Sequence, residues 1–133
     1  MHKQLFVNLA VQDLERSKAF YSALGYGFDP RFGNEHGACV VVAEDNLYVM
    51  LLKKDFFATL TPKAPVDAHQ GIGALLCLSC ESQQEADDLV AKAIAAGGRQ
   101  PHEPEDYGFM YSTGFEDPDG HGWGLAVMRG TPG

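Results

Sequence analysis

The sequence predicts an α+β fold made from one small unit used twice, and three observations carry that prediction. The first is the run Phe6-Val7-Asn8-Leu9-Ala10-Val11-Gln12-Asp13-Leu14, followed by Ser17, Phe20-Tyr21 and Leu24-Gly25. The second is Ala74-Leu75-Leu76-Cys77-Leu78-Ser79-Cys80-Glu81-Ser82, followed by a helical run that stops at Gly97-Gly98. Each reads as an alternating strand, a capped helix and a glycine stop, about half a chain apart. The third is size. A chain of 133 residues with 45% hydrophobic content fills one core and is short for two. The expectation is one domain over 1–133, with module one at about 1–60 and module two at about 70–130.

The elements follow in order. Residues 5–11 alternate, with Val7, Leu9 and Val11 on one face. Asp13 is a fitting N-cap for a helix through Leu24, and Gly25 ends it. Tyr26-Gly27-Phe28-Asp29-Pro30 begins an extended segment. Ala38 to Ala43 is a continuous apolar strand, Glu44-Asp45-Asn46 a turn, and Leu47 to Leu52 the return strand of a hairpin. Phe56 to Gln70 connects the modules and carries Pro62 and Pro65; Phe56, Phe57 and Leu60 suit a short helix, as packing or as a lid. Gly73 to Cys80 is a strand. Ser82-Gln83-Gln84-Glu85 has the pattern of a reciprocal helix cap, and that helix runs to about Ala96. Pro101 to Asp106 reads as a loop and Phe109 to Glu116 as a strand. Asp117-Pro118-Asp119-Gly120 has the residues of a tight turn, and Trp123 to Met128 closes the chain as a strand.

Composition excludes several classes of partner. The formal charge is -8, from 18 acidic and 10 basic residues, with no long charged runs. Nucleic acid, which selects clustered Lys and Arg, is not expected. Neither is a membrane, since no segment approaches the ~20 apolar residues that span a bilayer. Met1-His2-Lys3-Gln4 leads straight into a strand and lacks a signal-peptide apolar stretch. Cys39, Cys77 and Cys80 are odd in number, lie in apolar runs and lack framework spacing, as expected of buried thiols in a reducing cytoplasm. Cys77 and Cys80, three apart in a strand, point to opposite faces and do not form a paired redox or zinc motif.

The opening residues, Asn8-Leu9-Ala10-Val11-Gln12-Asp13-Leu14 with Ser17, Phe20-Tyr21 and Leu24-Gly25, resemble the start of the vicinal oxygen chelate superfamily. That group includes glyoxalase I, bleomycin-resistance and fosfomycin-resistance proteins and extradiol dioxygenases. Asp117-Pro118-Asp119-Gly120-His121 followed by Trp123 resembles its closing turn and strand. The resemblance implies two βαβββ modules whose mixed sheets curl around a cleft, commonly in a homodimer. It also implies one metal ligand on each of four strands. Counting seven residues back from Asp13 puts the first at Phe6. The strand patterns put the others at Met50, Leu75 and Gly124. None of these side chains is a ligand for zinc, iron, nickel or manganese. The resemblance thus implies the fold without the metal site, and no cofactor is expected.

Strand alternation supports the same count. Phe6, Asn8 and Ala10 share a face away from the helices, as do Tyr48, Met50 and Leu52, then Leu75, Cys77 and Ser79, then Gly122, Gly124 and Ala126. The candidate ligand-binding residues are Phe6, Asn8, Tyr48, Met50, Leu75, Cys77 and Gly124, an apolar and aromatic wall with small residues on one side. Asn8 reads equally as a hydrogen-bonding group for a ligand and as a structural amide. Tyr107, Phe109, Met110 and Tyr111 divide by alternation between core and cleft mouth, and Trp123 belongs to the core. His121 reads as a turn residue and His36 as a solvent loop residue. His2, His69 and His102 suggest no site. No nucleophile is convincing: Ser17 and Ser82 belong to helix starts, and Cys77 lies in an apolar setting that keeps a thiol inert.

The sequence therefore favours metal-independent binding of a small organic molecule by a homodimer. The alternatives are a lyase or isomerase of the glyoxalase class and a structural or subunit-interaction domain.

Overall fold

The computed structural model describes residues 1–130, and the chain divides into two compact units, Met1–Val66 and Asp67–Gly133. In the first, β1 (Leu5–Val11) leads into α1 (Leu14–Ala23). Then come β2 (Gly27–Phe28), a 3-10 turn at Pro30–Phe32, β3 (Gly37–Ala43), β4 (Leu47–Lys53) and a one-turn helix α2 (Lys54–Phe57). The four strands form a sheet in the order β1-β4-β3-β2, with β1 parallel to β4 and the other pairs antiparallel. In the second unit β5 (Leu75–Ser79) and α3 (Gln83–Ala95) precede β6 (Glu105–Asp106), β7 (Met110–Glu116) and β8 (Gly122–Met128). Their order, β5-β8-β7-β6, and their directions repeat those of the first unit. The duplication legible in the sequence is therefore a duplication of sheet topology.

Local chemistry fixes the ends of both long helices. The Asp13 carboxylate accepts the Arg16 N–H at 3.1 Å, satisfying one of the donors a helix start leaves unpaired. Ser82 Oγ does the same for the Glu85 N–H at 3.1 Å. The Glu85 carboxylate reaches back to the Glu81 N–H at 2.9 Å, one residue before the position a standard reciprocal cap uses. Gly25 (φ 102°) and Gly97 (φ 106°) then stop α1 and α3 in the left-handed region that favours glycine.

Each helix covers one face of its own sheet. Leu14, Ser17, Phe20 and Tyr21 are the buried residues of α1, three or four apart on one side. They pack over β3 and β4, where Ala38, Val40, Val49 and Leu51 are buried. In α3 the buried residues are Ala86, Val90 and Ala93. These small side chains bring the helix close to β7 and β8, over Tyr111, Thr113, Phe115, Trp123, Leu125 and Val127. The opposite faces of the two sheets carry the sequence-predicted site residues.

Three sequence expectations are corrected. Pro101 to Asp106 is not all loop, because Glu105 and Asp106 pair with Ser112 and Tyr111 as β6. Two residues are too few to show alternation. The strand at Gly73 begins at Leu75. The cysteines are not uniformly buried: Cys39 and Cys80 are, and burial pushes both thiols up, whereas Cys77 is exposed.

A polar clamp joins α3 to the strands beside β6. Tyr111, buried on β7, donates its hydroxyl to Asp87 of α3 at 2.5 Å. Arg129 lies over the Tyr111 ring and donates to Asp106 at 2.8 Å and Gln83 at 2.6 Å. The hydrogen bond to Asp87, followed by burial and its charge, pushes the Tyr111 phenol up to about 12. A phenol whose folded pKa is raised contributes stability that is present in full below its unfolded pKa of about 10. That contribution is lost as pH rises through the folded value. Tyr111→Phe is expected to cost about 1 kcal/mol at neutral pH. The gap from wild type should close between about pH 10 and 12. Urea denaturation of both proteins across that range checks it, and a gap that stays constant would show the hydroxyl to be uncoupled.

Candidate functional site

On the first sheet, the face opposite α1 is built by register. Phe6 lies beside Tyr48, Asn8 beside Met50 and Ala10 beside Leu52. Cys39 and Val41 flank Met50 and Tyr48 on the other side. The Phe6 ring stacks on Tyr48 at 4.8 Å between centroids, 12° from parallel. Phe32, from the 3-10 turn, meets Phe6 edge-on at 5.5 Å. This packing divides the predicted residues. Tyr48 is buried beneath its neighbours, so its ring already has its stacking partner. Leu52 is also buried, lying across Gly37, where an added Cβ would come within 2.6 Å of it. Phe6 (37% exposed), Phe32 (41%) and Asn8 remain for solvent or a ligand, with Met50 half-buried between them.

Phe32 was not legible as a site residue. Its signal was the Asp29-Pro30-Arg31-Phe32 string, a capped turn with Pro at its start. Asp29 accepts the Arg31 backbone N–H at 3.0 Å and the guanidinium at 2.8 Å. The Arg31 hydrogen bonds hold the Asp29 carboxyl below its ordinary range. The same guanidinium stands 5.3 Å from the Phe32 ring centroid.

On the second sheet, the face opposite α3 is lower in relief. Leu75 sits beside Gly122, Cys77 beside Gly124 and Ser79 beside Ala126. Across β8, Glu116, Gly114 and Ser112 complete the rows. Leu75 is 71% exposed, and Cys77 and Ser79 are exposed with it. A Cβ on Gly124 would meet Cys77 Sγ at 3.4 Å, which places Gly124 in the middle of this face. Gly114 has a different reason to be glycine, since a Cβ there would come within 2.4 Å of the Trp123 carbonyl oxygen.

The histidines lie apart from both faces or in structural roles. His121 donates its backbone N–H to the buried Asp117 carboxylate at 2.8 Å, as a turn residue. His36 stacks on Phe56 at 4.7 Å and stands 3.5 Å from Glu35 in an exposed loop. His69, which suggests no site in the sequence, has a structural role. It hydrogen-bonds through Nε2 with the Pro118 carbonyl at 3.0 Å and packs against Gly120. Nothing nearby in sequence signals that contact.

Residues 3–43 match the family model described as bleomycin resistance protein-like N-terminal. A search of curated proteins returns no match. Among solved structures, a glyoxalase/bleomycin resistance protein/dioxygenase family enzyme from Burkholderia phytofirmans superposes with a TM-score of 0.74 at 18% identity, over 92% of this chain and 96% of that one. The fold is that of the vicinal oxygen chelate superfamily. The hypothetical protein SA1046 from S. aureus shares it at 28% identity and a TM-score of 0.81, over 96% of this chain and 95% of that one. Protein ATC0852 from Agrobacterium tumefaciens does so at 26% and 0.70, over 99% and 100%.

The four positions at which the sequence resemblance implies metal ligands, Phe6, Met50, Leu75 and Gly124, lie on the two sheets. In module one Phe6 is one side-chain step from Asn8, the partner of Met50. In module two Leu75 is one step from Cys77, the partner of Gly124. The four positions are therefore equivalent in pairs. Their side chains are a phenyl ring, a thioether, an isobutyl group and a hydrogen. Zinc, iron, nickel and manganese take imidazole, carboxylate or thiolate, so this donor set does not fit them. Among the described residues, no three His, Cys, Asp or Glu side chains come together as a metal-holding group. No helix among them is long and apolar enough to cross a membrane.

Proposed function

We propose that the protein binds a small, flat organic molecule without a metal, against the sheet faces that its helices leave open. The observation that supports this reading is that non-ligating side chains stand at all four positions where the resemblance would place metal ligands, Phe6, Met50, Leu75 and Gly124, with Phe6 itself, Phe32 and Asn8 exposed. An apolar, aromatic surface with one amide suits an organic ring carrying one or two polar groups, held by stacking and burial and oriented by hydrogen bonding. Asn8 offers both a donor and an acceptor. Glyoxalase I chemistry polarises an enediolate with a metal, and extradiol cleavage uses redox iron. Neither has a donor set here.

The first test is metal content. Protein purified without chelators is expected to carry no stoichiometric transition metal. Ligands found by a thermal-shift screen are expected to bind equally before and after exhaustive chelation. One zinc, nickel, iron or manganese per chain, lost together with binding, would defeat the reading.

The reading extends to a homodimer. Exposed Leu5, Phe6, Leu47 and Leu75 are large apolar groups on strands β1, β4 and β5, and two-fold pairing is the commonest way to cover such surface. Light scattering at micromolar concentration is expected to give twice the 14.4 kDa chain mass. A single-chain mass throughout would reject the pairing and leave the binding proposal standing.

A further inference from the structure

One end of the second sheet's open face is closed by a residue from outside the sheet. Gly122 and Gly124 both face away from α3, since Trp123 and Leu125 between and beyond them face it. Gly122 is nevertheless buried, while Gly124 is only half-buried. Two side chains make the difference. A Cβ on Gly122 would meet Leu75 Cδ2 at 2.7 Å and Ile72 Cδ1 at 3.1 Å. Leu75 comes from β5, beside Gly122 in the sheet. Ile72 precedes β5 and reaches the face from the segment that leads into it. It stays 54% exposed, so its outer side is free to touch a molecule lying on that face.

The segment before Ile72 is a closed turn with one anchor. The Asp67 carboxylate accepts the His69 N–H at 2.9 Å, and the Asp67 carbonyl accepts the Gln70 N–H at 2.9 Å and the Gly71 N–H at 3.1 Å. The anchor is His69, whose Nε2 lies 3.0 Å from the Pro118 carbonyl oxygen. A carbonyl only accepts, so Nε2 carries the proton and donates it. The backbone under the ring lies flat on the β7–β8 turn. Ala68 C and His69 N each stand 2.9 Å from a notional Gly120 Cβ. Residues 67–72 thus dock as a strap, and the strap ends in Ile72.

We propose that Ile72 is an end wall of the ligand site on the second sheet and that His69 is its positioning residue. This rests on the binding reading above and adds which residues bound the site: a ring seated on Gly124 can extend toward Ala126, while Ile72 and Leu75 stop it at Gly122. The test titrates 2-naphthylmethanol calorimetrically into the full chain and four variants. Ile72→Ala is expected to weaken binding about three- to tenfold, through lost apolar contact. His69→Ala should weaken it by a similar factor, and His69→Gln, which keeps an N–H donor, should recover most of the loss. The double variant His69→Ala/Ile72→Ala should bind no worse than Ile72→Ala, because His69 acts through Ile72. Amide hydrogen exchange reads the strap without a ligand: residues 69–72 should exchange faster in His69→Ala and at the wild-type rate in His69→Gln. Unchanged affinity in Ile72→Ala overturns the wall and leaves the binding reading standing. A double variant that loses the product of both factors, or exchange unaltered in His69→Ala, overturns the positioning role. No binding of the probe by the wild-type chain overturns the binding reading and this proposal with it.

Discussion

Asp117→Ala is expected to destabilise the second unit by about 3 kcal/mol, among the largest effects of any polar substitution in the chain. Asp117 is 2% exposed and sits where β7 ends. Its Oδ1 accepts the Asp119 N–H at 3.0 Å and the His121 N–H at 2.8 Å. Its backbone closes the same turn, with the Gly120 N–H on its carbonyl at 2.9 Å and its own N–H on the His121 carbonyl at 3.0 Å. Truncation to Ala strands two donors beside a buried backbone. Each unsatisfied donor costs about 1–3 kcal/mol, which sets the estimate. Asp117→Asn keeps an oxygen at the same place and loses only the charge, so it should cost less than half as much. Urea denaturation of both variants decides the matter, and equal losses would mean that the charge rather than the acceptor geometry holds the turn. Gly120 belongs to the same device. Its φ of 89° and the His69 and Ala68 atoms within 2.9 Å of a notional Cβ leave no room for a side chain.

Much of this turn was legible because it is local: Asp-Pro-Asp-Gly states its own geometry within four residues. The same holds for the Asp13 and Ser82 caps, the Gly25 and Gly97 stops, and the strand alternation that sorted Trp123 into the core and Gly124 onto the open face. What the sequence did not reveal depends on partners far along the chain. His69 meets Pro118 across 49 residues, and Arg129 meets Gln83 across 46. β6 exists because β7 offers an edge, not because Glu105-Asp106 favours a strand. Tyr48 alternates correctly onto the open face, yet its burial depends on Phe6 and on Phe32 from a separate turn. Alternation assigns a face to a side chain; whether that face stays uncovered is a matter of tertiary packing. Charge is uneven along the chain for the same kind of reason: the acids never form a run, and only division of the chain at Val66 separates a neutral unit from one that carries the whole formal charge of -8.

Gly124→Leu is expected to weaken ligand binding at least tenfold, a loss of about 1.4 kcal/mol or more. On β8 Gly124 lies between Cys77 of β5 and Gly114 of β7. A Cβ would touch Cys77 Sγ at 3.4 Å, a close contact with a side chain that is exposed and can give way. On the other flank Gly114 has no side chain to clash. The isobutyl group would therefore rise from the middle of the open face and occupy the space a flat ring would use. Overpacking should cost about 1–3 kcal/mol of stability, so the variant's fold is checked first by circular dichroism. Gly124→Ala, which adds only the Cβ, should lose much less affinity. Asn8→Ala reports separately on the first sheet: it removes an exposed amide from β1 and should leave stability almost unchanged. Calorimetric titration of a ligand from the thermal-shift screen then separates the faces. Loss in Gly124→Leu alone puts the ligand on the second sheet, and loss in Asn8→Ala alone puts it on the first. If both folded variants keep wild-type affinity, the ligand binds at neither face and the proposed site is wrong.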